Sequence, residues 1–286
     1  MTFHDKNATQ VTNITLNVSD LKNMIKFYTQ ILGLTIKHET NHAVTFNVGA
    51  HGHTLTLNEI ENGRRPSMRE SGLFHMALLL PTRQDLGNFL YHAASTGVQV
   101  GGGDHLVSEA LYFADPEGNG IEIYYDRPKA GWIWNDNKVK MDTLEVDANN
   151  LVEQRSENGW QGMPDDAKIG HLHLKAADIG QSRHYYLDEL GLDHVSDLPQ
   201  AVFMSTNHYH HHIAEAKRAV EDGVDLMGYL AWGPIDLVSM STSEITKRYG
   251  FIYVDQDDYG QGTKKRIKKD SFDWYKALIQ SNARDL

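Results

Sequence analysis

Two stretches of this chain can be laid over one another without a gap, and that repeat limits what it can fold into. VTNITLNVSDLKNMIKFYTQILGL, from Val11, matches IGHLHLKAADIGQSRHYYLDELGL, from Ile169, with Asp20 on Asp178, Tyr28 on Tyr186 and Leu32-Gly33-Leu34 on Leu190-Gly191-Leu192. Each copy opens with alternating apolar residues (Ile14, Leu16, Val18; Leu172, Leu174, Ala176), the pattern of a half-buried strand. An acidic residue then starts a helix, whose stripe in the first copy is Leu21, Ile25, Tyr28 and Leu32, and a glycine ends it. Alternating runs follow, HAVTFNV and HTLTLNE in one copy, QAVFMST and HHHIA in the other. The unit is β-α-β-β with one more strand expected. A third, weaker copy spans 73–125: LFHMALLLP as a strand, Arg83 to Thr96 as a helix, then VSEALYFAD and GIEIYYD around a Pro116–Gly120 turn.

Units thus begin near residues 11, 73 and 169, and a fourth is expected after His212 but is not there. All 16 histidines precede residue 213. The tail from Glu215 reads as a β/α rhythm instead: a helix over Glu215–Asp222, a strand over Leu226–Trp232, a strand over Gly250–Asp255 and a helix over Ser271–Gln280. The join falls near Ile213–Glu215. Composition narrows the function classes. Without cysteine there is no disulfide, thiolate site or cysteine nucleophile. A net charge of −11 argues against a nucleic-acid partner, which requires a basic face. No apolar run approaches the ~20 residues of a membrane helix, so a cytoplasmic protein without membrane contact is expected.

Metal ligation needs imidazole or carboxylate groups converging on one point, and on a strand alternate residues share a face. His171 opens one repeat strand and His75 holds the corresponding place in LFHMALLL. Glu122 is a charge within the apolar alternation Ile121, Ile123, Tyr125; Asn13 replaces the histidine in the first copy. Spacing alone leaves this reading level with that of hydrogen-bonded core histidines. His208, His210, His211 and His212 read equally as a solvated edge, and His38, His42 and His105 carry no positional argument.

The stretches GLFHMALLLPTRQDLG, GGGDHLVSEALYFADPEGNGIEIYYDRP, IGHLHLKAADI and YHHHIA are similar to the vicinal oxygen chelate superfamily, in its bacterial catechol 2,3-dioxygenase branch. The resemblance covers residues 1–213. It implies an α+β fold of paired βαβββ units, a first module over 1–135, a linker over 136–168 and the start of a second module over 169–213. It also implies Fe(II) held by His75, His171 and Glu122 (a donor set that equally accepts Mn(II)), with a small aromatic diol and O2 as substrates. These ligands lie in the second and third units, so the metal cup is expected between those two. His210-His211-His212-Ile213-Ala214 matches the family stretch that places the acid/base at His211, with His210 and His212 as substrate-binding neighbours, either of which could face the metal instead. A glyoxalase-type isomerase generally uses a second glutamate ligand, and only Glu122 is evident.

Residues 214–286 resemble the C-terminal end of family 1 glycoside hydrolases, in their 6-phospho-β-glucosidase branch, through AVEDGVDLMGYLAWGPIDLVS, STSEITKRYGFIYVDQDD and KRIKKDSFDWYK. The resemblance implies a sugar-phosphate remnant at Ser239, Lys247 and Tyr249. Glycosidases need two carboxylates flanking the bond. In this family they lie upstream in Asn-Glu-Pro and Glu-Asn-Gly contexts, and Asn-Glu-Pro is absent here. The chain therefore reads as a chimera, its last unit replaced by a (β/α)8-barrel fragment. Exposed strand edges would favour a homodimer. The alternative to a dioxygenase is an inactive fusion.

Overall fold

The computed structural model describes residues 3–4, 8–64, 70–198, 201–217, 236, 245, 250–269, 271–273 and 276. The chain divides into two compact units, Met1–Asp222 and Gly223–Leu286. The first holds three βαβββ units. Unit one is β1 (Asn13–Val18), α1 (Leu21–Gln30), β2 (Thr35–Glu39), β3 (Ala43–Val48) and β4 (His53–Glu59). Unit two is β5 (Gly72–Leu79), α2 (Arg83–Ser95), β6 (Gly101–Asp104), β7 (Ser108–Ala114) and β8 (Gly120–Asp126). Between units two and three lie β9 (Trp134–Asn135), β10 (Lys138–Val139) and α3 (Ala148–Glu153). Unit three is β11 (Lys168–Ala176), α4 (Ile179–Arg183, continued by a π-helical turn to Glu189), β12 (Asp193–Leu198), β13 (Ala201–Ser205) and β14 (Ile213–Lys217).

The repeated helix signals act as local chemistry requires. Asp20 and Asp178 cap α1 and α4, each carboxylate accepting from the backbone N–H three residues on. Gly33 and Gly191, which follow the two helices, have φ of +66° and +72°, the left-handed geometry that ends a helix at glycine. The Asp115–Gly120 turn fastens unit two to unit one. Asp115 accepts from the backbone N–H of Glu117 and Asn119 and from the buried Tyr28 hydroxyl, while the Glu117 carboxylate accepts from the N–H of Ser19 and Asp20 at the start of α1. Part of this motif's sequence is therefore spent on docking α1, whose Met24 and Tyr28 share one core with Leu78, Phe89 and Ile123.

Unit one forms its own sheet, β1-β4-β3-β2, in which β1 is hydrogen-bonded on one side only among the described residues. Units two and three form one eight-stranded sheet, β12-β13-β14-β11-β5-β8-β7-β6, joined where β5 runs antiparallel to β11. The cup expected between those two units is this sheet.

One expectation gives way. Glu215 was expected to start a helix, and it lies instead in β14, pairing with Leu174 of β11 and Val202 of β13. Two waiting strand edges override the helical preference of the Glu-Ala-Lys-Arg sequence. The span 136–168, which connects units two and three, contains β10 and α3, and α3 packs on α2 closely enough that a Cβ on Gly87 would stand 2.3 Å from the Leu151 carbonyl. In the second compact unit β15 (Ile252–Val254) pairs with β16 (Arg266–Lys268), agreeing with the expected strand, and Lys269 donates to the buried Asp236 at 2.7 Å. Ser239, Lys247 and Tyr249 lie outside the described residues, as do the strand expected over Leu226–Trp232 and most of the final helix. No helix among the described residues is long and apolar enough to cross a membrane.

Candidate metal centre

The centre is built around Ala77, a methyl side chain in the middle of the sheet. In register, Ala77 of β5 stands beside Glu122 of β8 on one side and His171 of β11 on the other, and His75 lies two residues away on the same strand face. With only a methyl group at 77, three longer side chains can close over it. Glu122 Oε2 is 3.1 Å from His171 Nε2 and 2.9 Å from His75 Nε2, and all three ligand atoms lie within 4.8 Å of one another. Two ligands meeting at right angles about 2.1 Å from an ion would stand about 3 Å apart, so these spacings suit one face of an octahedral site. The His75 contact lacks hydrogen-bond alignment, leaving that nitrogen buried without a partner among the described residues. An orphaned imidazole nitrogen aimed at a shared carboxylate oxygen is what a cation would satisfy.

His171 owes its direction to an irregularity. Ile169 pairs with Leu78 and His171 with Ala77, so Gly170 is an extra residue, a β-bulge. Ile169 goes to the apolar core while His171 turns into the cup. Only glycine fits the bulge, because a Cβ there would lie 1.8 Å from the Tyr124 hydroxyl.

Burial and the shared carboxylate oppose one another at Glu122 and His171. Burial pushes Glu122 upward, but the interaction with His171, followed by that with His75, outweighs it and holds the carboxyl well below its usual range. Burial lowers His171 against the opposing pull of Glu122. His173, beside the centre, is lowered to about 3, by burial first and then by His75 and His171. Neutral imidazole is the form that ligates metal.

The centre opens onto a cavity of about 460 Å³. Phe74, Phe203, Leu198 and Met141 supply apolar walls, and His75, Glu122, His173 and His211 line it near the centre. The His211 ring lies 3.9 Å from that of His171, centre to centre, and is tilted 50° to it. Neither His210 nor His212 is among the lining residues. The His210 ring points at Asp126 and His211, and that of His212 packs among His4, Tyr209 and the β13 end. Sequence reading left His105 without a role and passed over Tyr112 and His173. His105 and Tyr112 are hydrogen-bonded at 2.6 Å within the cavity wall, with the His105 ring also bonded to the Asp142 carbonyl. A histidine seven residues before a tyrosine, ahead of a strand glutamate, was the available signal.

Residues 10–123 match the family model of the glyoxalase/bleomycin resistance protein/dioxygenase superfamily, and residues 122–284 match that of glycosyl hydrolase family 1. The chain is 36% identical over 202 residues to a catechol-2,3-dioxygenase of Bacillus subtilis, an alignment covering 69% of this chain and 71% of that protein. The chain belongs to the glyoxalase/bleomycin resistance protein/dioxygenase superfamily, with a glycosyl hydrolase family 1 tail. The chain is also similar to an aryl-phospho-β-D-glucosidase of B. subtilis (43% over 135 residues, 46% of this chain) and a phospho-cellobiase of Klebsiella oxytoca (59% over 75 residues, 26% of this chain). This chain spans only 28% and 16% of those two proteins. Glu-Asn-Gly triplets do occur in the superfamily part, at Glu61–Gly63 and Glu157–Gly159, but in exposed turns and without an Asn-Glu-Pro anywhere in the chain.

Proposed function

We propose that residues 1–222 form a metal-dependent extradiol dioxygenase that opens the ring of a catechol beside its two hydroxyls, with Fe(II) as the working ion and Mn(II) as an acceptable one. The observation that carries this reading is the His75–Glu122–His171 cluster at the base of an aromatic-walled cavity, in a chain 36% identical to a catechol-2,3-dioxygenase. Two imidazoles, one carboxylate and an open side make the facial donor set of non-haem Fe(II) oxygenases. Held there, the ion would supply a Lewis acid that acidifies the diol and a centre able to exchange electrons with dioxygen.

The chain's own groups do the rest. Phe74 and Phe203 give the cavity aromatic walls against which a ring can pack. His211, lowered well below its ordinary value by burial and by His171, is a neutral base at neutral pH, suited to take the diol's proton. The Tyr112 hydroxyl is raised well above its ordinary value by burial and by the Glu122 charge, so it stays protonated and can donate. Catechol and O2 combine with both oxygen atoms retained, giving a muconic semialdehyde. Among the described lining residues there is no lysine or arginine, so nothing in the wall offers a charge partner to a carboxylated ring.

The test is anaerobic loading of the full chain with Fe(II), followed by catechol and air. A yellow ring-fission product is expected, and His211→Gln should retain the metal while losing about 10²–10⁴ in turnover. Bound iron with no product would instead favour an inactive fusion.

A further inference from the structure

The strand that carries Glu122 continues on the same face to Tyr124 and Asp126, and Asp126 starts a chain of contacts leading back to the cavity. Its carboxylate Oδ1 lies 2.7 Å from His210 Nε2, and His210 Nδ1 lies 2.7 Å from His211 Nδ1. Local backbone makes this arrangement: Asn207 and His208 both take left-handed φ, 60° and 55°, turning the chain sharply before residues 209–212. The His210 ring has no exposed surface and is boxed by Tyr124, Trp132 and Tyr209.

The proton positions follow from what each atom can do. An ionised carboxylate only accepts, so His210 must carry its proton on Nε2. A neutral imidazole has one N–H, which leaves His210 Nδ1 an acceptor. The nitrogen facing it, His211 Nδ1, must then donate. We propose that Asp126 and His210 are positioning residues that fix His211 as its Nδ1–H tautomer, leaving Nε2 as the unprotonated nitrogen available to the cavity. Neither residue lines the cavity, so they act through His211 rather than on substrate. The inference rests on reading His211 as the group that handles the diol's proton.

The experiment uses full-length, metal-free protein labelled with ¹⁵N-histidine. Long-range ¹H–¹⁵N correlation distinguishes protonated from bare ring nitrogens, with His211 identified by the signals lost in His211→Gln. The wild type is expected to show His211 protonated on Nδ1 and His210 on Nε2. Asp126→Asn retains an acceptor oxygen and should keep that pattern, whereas Asp126→Leu should move His211 toward a mixture of tautomers. If the leucine variant does not fold, His210→Phe removes the acceptor from the other side and should have the same effect. A wild-type His211 protonated on Nε2, or a His211 signal unmoved in the folded leucine or phenylalanine variant, would overturn the proposal. The Nδ1–H tautomer in a protein without ring-cleaving turnover would uphold the relay while refuting the reading of His211. The opposite tautomer in an active protein would refute the relay alone.

Discussion

His171→Ala should abolish tight metal binding while leaving the chain folded. The imidazole is one of three proposed ligands, it is buried, and its Nε2 lies 3.1 Å from the carboxylate oxygen it would share a cation with. Changes outside the ligand shell already cost ten- to a hundredfold in metal affinity, so loss of a ligand should cost more than about a hundredfold. Equilibrium dialysis against Fe(II) under nitrogen would read this directly, with about one ion per chain in the wild type and none retained by the variant. An unchanged stoichiometry would remove His171 from the centre. Because Glu122 keeps His75 at 2.9 Å, the carboxylate is not left alone in the core, and the variant should unfold only slightly earlier.

Gly170→Ala should be the most damaging single methyl group in the cup. The new Cβ would meet the Tyr124 hydroxyl at 1.8 Å and its ring carbon Cζ at 2.6 Å, and Tyr124 is completely buried with its hydroxyl 2.6 Å from that of Tyr209. A tyrosine held at both ends cannot swing aside, so the strand must shift, at about 2–4 kcal/mol. The shift would also move His171, the next residue, and metal affinity should fall together with the urea midpoint. Combining it with Tyr124→Phe removes the closest contact and should recover part of the stability, a non-additivity that residues in contact display. A variant as stable as the parent would mean that the bulge does not fix this strand.

Spacing brings His75 and His171 forward as candidates, because they occupy repeat-equivalent positions, but by itself it leaves them level with core histidines. His75 and His171 hold the same place in their units, and the ligands fall in units two and three, which points to the β5–β11 seam. The bulge at Gly170 was not legible. Alternation puts Ile169 and His171 on one face, and only the demands of the apolar core and of Tyr124 separate them. His105 shows only a faint spacing signal for a similar reason: its partner Tyr112 is on the adjacent hairpin strand, and the turn at Leu106, with φ of 69°, brings the ring back over it. Glu215 misled because a charged, alanine-containing segment carries a real helical preference, while the two strand edges that claim it are set by residues far away in sequence.

Anomalous X-ray diffraction from crystals of the full chain soaked anaerobically with Fe(II), collected at the iron edge, tests the central claim most directly. A single strong peak within bonding distance of His75 Nε2, Glu122 Oε2 and His171 Nε2 is the predicted result. Iron bound elsewhere, with these three atoms still in contact with one another and no peak between them, would contradict it.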